Sequence, residues 1–229
     1  MRENIVILYA KFPKFGNTKT RIASLTTPAF AWKLSMCLLK DTIRKVSHSD
    51  AYEFIVVVNS NEEAKLFENT FNVKTYVLNE SVLQRSQSER FTFLFSKFKE
   101  KFSRVALIPG DVPSISEETL VEGFKLLKNQ KFVFGPEYNG GVYFIGMSTQ
   151  PDNLFYGVRW STRDSLRDLI SNSQENCRLL DFKEDINTVA DLINFKQDIQ
   201  SGAPATYKLL LDLRVYGRQM QIGVQNVYA

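Results

Sequence analysis

The sequence predicts an α/β fold: a mixed, mostly parallel sheet with helices on both faces. Three observations predict it. Short apolar runs of strand type alternate with helical stretches that open on a capping residue. One run, EFIVVVN (53–59), has an unbroken apolar, largely β-branched centre, the mark of a strand covered on both faces. Of the 229 residues 44% are hydrophobic, with 18 Phe, which is core enough for one domain of this length.

The elements follow in order. NIVILYA (4–10) is a strand that runs straight into AKFPKFGNTKTRIA (10–23), a loop holding Lys11, Lys14, Lys19 and Arg21 around Gly16. Thr27-Pro28 opens a helix, with Thr as N-cap and Pro at the first helical position. Phe30, Leu34, Cys37, Leu38 and Leu39 give that helix a buried face. After the strand at 53–59, Ser60 with Glu63 makes a capping box. VKTYVL (73–78) is the third strand. Phe91, Phe95, Phe98 and Phe102 recur at helical spacing, a face packed into the core. RVALIPGDVP (104–113) is a strand ending in a turn, and Ser114 with Glu117 opens the next helix. KFVFGPEYNGGVYFIGM (131–147) is two strands around a Gly-rich turn. STRDSLRDLI (161–170) reads as a capped helix, CRLLDF (177–182) as a strand and TVADLINFKQDI (188–199) as a helix.

Past Ser201–Pro204 the pattern changes. Tyr207, Leu209, Leu211, Leu213 and Val215 alternate with mainly polar residues, and Met220, Ile222 and Val224 alternate again. This predicts a single domain over 1–200 and a C-terminal hairpin extension over 201–229. A lone hairpin is marginal in water. Its apolar face, within 207–228, is therefore expected to lie on the domain body or to make a homo-oligomer.

Composition narrows the function. The single histidine, His48, leaves no room for a histidine-rich zinc site, and Cys37 and Cys177 are too far apart in sequence to suggest a ligand pair. A net charge of +4 is too weak to argue for nucleic acid. The first 50 residues nevertheless carry nine Lys/Arg against three Asp/Glu, so the positive charge gathers around the first loop. No apolar run approaches the ~18 residues of a membrane helix, and the first is too short for a signal peptide. A cytoplasmic protein without membrane span is expected.

In sheets of this kind ligands sit beyond the carboxyl ends of the strands. The cation loop, the PGDVP turn and the loop before Thr188 all occupy such positions. The cation loop is either a solvated turn or a phosphate holder, since backbone amides and helix starts attract anions. It is not a Walker A loop, because Thr18 stands where a glycine would precede the lysine. Asp111, between Gly110 and Pro113 at the end of an apolar strand, is the strongest candidate for a functional acid.

KFPKFGNTKTRIA resembles the K-x-P-x-x-G-x-x-K-T-R-L-A opening of a bacterial family of uncharacterised transferases, the DUF2064 type. Further segments resemble that family in the same order. QSERF (87–91) is similar to L-G-E-R-M, and IPGDVPSIS (108–116) to G-x-D-x-P-x-L. FGPEYNGGVYFIGM (134–147) is similar to G-P-x-x-D-G-G-Y-x-L-I-G. LFYGVRWST (154–162) and DINTVADL (185–192) are similar to L-F-x-x-I-x-W-S-T and D-x-D-T-x-x-D-L. The resemblance covers about 4–195. It implies the GT-A-like nucleotide-diphospho-sugar transferase fold and a glycosyl- or nucleotidyltransferase acting on a nucleotide or nucleotide-diphospho sugar with Mg²⁺ or Mn²⁺. By resemblance, Lys11, Gly16, Lys19 and Arg21 hold nucleotide and phosphates, and Arg90, Asn139, Gly140 and Gly141 contact the same ligand. Asp111, Lys19 and Arg21 would carry the transfer, and Asp111 with Asp185 and Asn187 would hold the metal. Two departures weaken that metal: Asn139 and Asn187 stand where the family pattern has Asp. The alternatives are a nucleotide-binding protein without turnover and an assembly protein working through the hairpin.

Overall fold

The computed structural model describes residues 3–174 and 176–212. Seven strands form one sheet in the order β3-β2-β1-β4-β6-β5-β7. They are β1 (Asn4–Tyr9), β2 (Glu53–Val58), β3 (Thr75–Val77), β4 (Arg104–Ile108), β5 (Phe132–Pro136), β6 (Val142–Met147) and β7 (Cys177–Leu179). β6 runs antiparallel to both neighbours, and every other pairing is parallel. β1 lies between β2 and β4, with Ile7 opposite Ile55 on one side and Leu107 on the other. The strand order therefore reverses at β1/β4. That point opens a crevice at the carboxyl ends of the two strands.

Central strands buried on both faces must be apolar throughout. Ile5–Leu8 and Val105–Ile108 are at most 7% exposed. One face packs on α2 (Pro28–Val46), α3 (Asn61–Phe71) and α6 (Glu117–Leu126), through residues such as Leu39, Phe67 and Phe124. The other packs on α5 (Gln87–Lys99), whose Phe91, Phe95 and Phe98 are buried against Phe155 and Leu107.

Caps fix several helix starts. Thr27 accepts from the Phe30 amide ahead of α2, and Ser86 with Glu89 makes a full capping box on α5. Ser60 caps α3, while the Glu63 carboxylate reaches back to the Asn59 amide. Three expectations move by a few residues. α6 is capped by Ser116, not Ser114. The helix expected from 161 is α7 (Ser165–Asn172), because 161–164 turn against the β5–β6 connection before the helix can begin. The stretch expected as one helix over 188–199 breaks at Phe195 into α8 (Val189–Asn194) and α9 (Lys196–Gly202). Two short helices complete the order, α1 (Thr20–Leu25) and α4 (Glu80–Leu83).

The C-terminal expectation is corrected over its first part. Pro204–Asp212 is a helix, α10, where a strand was expected. Leu210 and Thr206, four apart, are buried, and Tyr207 and Leu209 pack against the same small core of Ile22, Leu34, Leu38 and Ile199. Asp41 of α2 caps it, accepting from the Ala205 and Thr206 amides and the Thr206 hydroxyl. A buried cap and a shared core decide the conformation over an alternation of three or four residues. The remainder of the expected hairpin lies outside the described residues. No helix among the described residues is long and apolar enough to cross a membrane.

Candidate active site

β1 and β4 end side by side, so the loops that leave them meet over the crevice. The β1 loop carries the cations to Lys19, the residue before α1. Lys19 has a left-handed backbone (φ 43°), which is costly for a residue with a Cβ and persists only when its surroundings hold it. Here two contacts do so. Its Nζ donates to Asp111 Oδ2 at 2.9 Å and to the carbonyl of Ile186. The Ile186 amide in turn donates to the Asp111 carbonyl at 3.1 Å. Three loops, after β1, after β4 and before α8, are thus tied at one point. The Asp111 loop is braced from behind as well. Thr42 and Lys45 of α2 donate to the carbonyls of Gly110 and Pro113, at 3.3 and 2.6 Å.

Asp111 borders two cavities. The first, about 700 Å³, is lined by Lys11, Lys14, Thr18, Lys19, Asn59 and Glu63 among others. The second, about 640 Å³, is lined by Arg21, Gln87, Glu137, Asn139, Gly141, Arg163, Asp185 and Asn187 among others. Tyr9, Pro109 and Asp111 border both. Both volumes lie in the range that takes a small molecule.

The sequence-chosen residues therefore divide. Lys11 and Lys19 face the first cavity, while Arg21, Asn139, Gly141, Asp185 and Asn187 face the second with Asp111. Gly16 lines neither; it is exposed, with φ 82°, and turns the loop. Arg90 also lines neither. It donates to the Tyr9 hydroxyl at 3.2 Å and to the Arg85 carbonyl, and so positions the ring shared by the two cavities. Gly140 (φ 88°) is a packing residue: a Cβ there would lie 2.0 Å from the Arg163 carbonyl oxygen.

Asn139 has both ends engaged. Its oxygen accepts from the Gly141 amide at 2.7 Å, and its amide donates to Glu184 and Asp185, each at 3.2 Å. Asn187 donates to the Asp185 carboxylate, and its backbone amide donates to Asp191, the capping-box acid of α8.

Sequence reasoning missed two acids: Glu137, which lines the second cavity, and Glu184, which accepts from Asn139 outside that lining. Glu137, at the end of β5, is 7% exposed. Burial, then the charges of Asp185 and Asp111, push its carboxyl up to about 8. Gly141 leaves the room it occupies, since a Cβ there would lie 2.2 Å from Glu137 Oε2. Burial, and to a lesser degree Asp111, raise Asp185 to about 6 against the opposing pull of Lys19. Glu184, held by the Tyr138 amide, is raised to about 7, chiefly by burial. The only sequence signal for Glu137 was an acid directly after a buried strand, next to the Gly-Gly pair.

The family model described as "Uncharacterized protein conserved in bacteria (DUF2064)" matches residues 42–162. The chain belongs to the DUF2064 family. DUF2064 membership agrees with the fold found in solved structures. A candidate nucleotide-diphospho-sugar transferase from Desulfovibrio desulfuricans G20 superposes with a TM-score of 0.82 at 20% identity, over 96% of this chain and 98% of that one. A cytidylyltransferase from Leptospira borgpetersenii gives 0.57 at 12% identity, over 93% and 95%. These likenesses show the nucleotide-diphospho-sugar transferase fold. A 2-phospho-L-lactate guanylyltransferase from Methanocaldococcus jannaschii is 24% identical over 77% of this chain and 76% of its own length.

Proposed function

We propose that this chain is a nucleotidyltransferase that holds a nucleoside triphosphate in the first cavity and its acceptor in the second. The observation that carries this reading is Asp111: just past the end of β4, it borders two small-molecule cavities, one of them lined by the cation loop. A transfer between two substrates needs both at one point, and this is the point the topology supplies. The guanylyltransferase and cytidylyltransferase likenesses favour nucleotidyl over glycosyl transfer.

In that reading Lys11, Lys14 and Lys19 neutralise the triphosphate. An acceptor oxygen attacks the α-phosphorus from the second cavity. The bond from α-phosphorus to the bridging oxygen breaks, and its electron pair leaves with pyrophosphate. The growing charge on the leaving group falls against the cation loop, where positioned ammonium groups stabilise it. The donor set suits Mg²⁺. Asp111, Asp185 and the Asn187 amide oxygen are hard oxygens bordering one cavity, and Mg²⁺ commonly takes one or two carboxylates and keeps waters and phosphate. Among the described residues no three carboxylate, histidine or cysteine groups converge closely enough to hold an ion by themselves. That is consistent with a metal that arrives with the nucleotide. When bound, the ion would supply charge neutralisation on the phosphates.

Calorimetric titration of nucleoside triphosphates, diphosphates and nucleotide sugars, each with and without Mg²⁺, tests this. One triphosphate is expected to bind in a Mg²⁺-dependent way to the parent, and Asp111→Ala is expected to abolish that binding. An unchanged affinity in Asp111→Ala, or a parent that binds only nucleotide sugars, overturns the reading. A nucleotide holder without turnover is the second reading, favoured by the engaged amides of Asn139 and Asn187. Nucleotide binding indifferent to Mg²⁺ would mark it.

A further inference from the structure

The cations around the two cavities are not equivalent. Lys19 is committed to Asp111, and Arg90 to Tyr9 and Arg85. Arg159, a neighbour of the second cavity, is committed to Asp164 and Asp168, which between them receive its guanidinium in bonds of 2.7 to 2.9 Å. Arg21 and Arg163 differ. Both line the second cavity, and neither guanidinium has a hydrogen bond or ion pair to another described residue. They come from α1 and from the turn before α7, far apart in sequence. The turn is held in place by construction: the Arg163 carbonyl sits against Gly140, and the Leu166 amide donates to the Gly140 carbonyl at 3.0 Å. Three acids, Asp111, Glu137 and Asp185, border the same cavity.

The geometry points to an acceptor subsite for a small molecule bearing a phosphate or carboxylate, with Arg21 and Arg163 as its anion partners. This rests on the proposed two-substrate reading and names the acceptor's chemical class. An anion entering this cavity is repelled by Asp111 and Asp185 and attracted by the two free guanidinium groups, so it settles on the arginine side. Its remaining nucleophilic oxygen then faces Asp111, the boundary with the donor cavity. Guanidinium is the group suited to this work. Its planar fork pairs with carboxylate and phosphate through two parallel bonds, whereas lysine offers a point charge. A neutral acceptor would leave both arginines without a partner in the cavity.

The test uses the full chain and 3-phosphoglycerate as probe, with glycerol as its neutral counterpart and inorganic phosphate and acetate to separate the two anion types. Binding is read by ligand-observed NMR, and nucleotide binding is titrated separately in every variant. The parent is expected to bind 3-phosphoglycerate and not glycerol. Arg163→Ala should weaken that binding about tenfold, and Arg21→Ala with Arg163→Ala about a hundredfold, as expected for loss of charge-assisted pairs. Arg163→Lys should recover part of it, and nucleotide affinity should stay unchanged in Arg163→Ala. Both side chains are exposed, so the variants should keep the parent's melting temperature. If 3-phosphoglycerate binding depends on Arg163 while no nucleotide binds the parent, the subsite stands and the two-substrate reading falls. If nucleotide binds while the parent ignores both anions, or the double variant binds 3-phosphoglycerate like the parent, the subsite is refuted.

Discussion

Glu137 shows how a single carboxyl can report on a site. Its pKa rises on folding from 4.5 to about 8, because it is buried beside Asp185 and Asp111. A carboxyl with a raised pKa binds its proton more tightly in the fold than in the unfolded chain. Stability is therefore greatest at the acid end of that window and falls as pH rises from about 4.5 to about 8. Asp185 and Glu184, raised to about 6 and about 7, act in the same direction. Lys45, lowered to about 8 by burial, acts only above this window, where its folded and unfolded states differ in bound protons. The expected outcome is a melting temperature that drops between pH 5 and pH 8. Glu137→Gln should flatten part of that drop and melt higher than the parent at pH 8, by about 2–4 °C per kcal/mol at this length. A parent and variant with parallel pH profiles would show that Glu137 is not the group being titrated. Little of this was legible in the sequence. Asp111 stands out because a turn after an apolar strand has no structural need of an acid. Glu137 gains its neighbours only when the segment after β7 is brought beside the end of β5, where the backbones of Glu137 and Lys183 form a parallel β-bridge.

At the scale of elements, most of the fold was legible because the deciding interactions are local. Thr27-Pro28 and Ser60 each cap a helix within three residues of themselves. What escaped was decided at long range. Alternation in Tyr207, Leu209 and Leu211 suggested a strand, but the cap that makes this segment helical lies in α2, at Asp41. The turn before α7 was read as helix because its fit against Gly140 cannot be seen locally. That fit makes a sharp prediction. Gly140→Ala combines a left-handed backbone with a Cβ 2.0 Å from the Arg163 carbonyl oxygen, so the 161–164 turn must move. A loss of about 2 kcal/mol is expected, of the order of other strained-backbone and overpacking changes. Chemical unfolding measures the loss, and the amides of 161–166 should lose protection against hydrogen exchange. A variant as stable as the parent, with those amides unchanged, would mean that the two turns are not packed as described.

At the scale of the whole molecule, the question is whether the segment after Ser201 is an appendage or part of the body. The packing makes Pro204–Asp212 part of the body. Leu210 shares a core with Ile22, Leu34, Leu38 and Leu192, and Asp41 is 3% exposed with both oxygens committed to α10. The same region backs the candidate site. Lys45, one turn after Asp41 on α2, holds the Pro113 carbonyl, and Gly202 lies so close to that carbonyl that a Cβ would come within 2.2 Å of its oxygen. Removing the cap should therefore act at two distances. Asp41→Ala leaves the buried Thr206 amide and hydroxyl and the half-buried Ala205 amide without their acceptor, at a cost of about 2–4 kcal/mol. Because α2 packs on α10 through one face and on the sheet through another, calorimetry should show a single transition moved down by about 4–16 °C at this chain length. Because α2 and α9 brace the Asp111 loop, nucleotide should also bind the variant more weakly below its melting point, while Thr206→Ser, which keeps the hydroxyl, should change neither property much. A separate low-temperature transition in the parent would return this segment to the status of an extension. An Asp41→Ala protein that melts lower but binds nucleotide like the parent would show that the brace stabilises the fold without positioning Asp111.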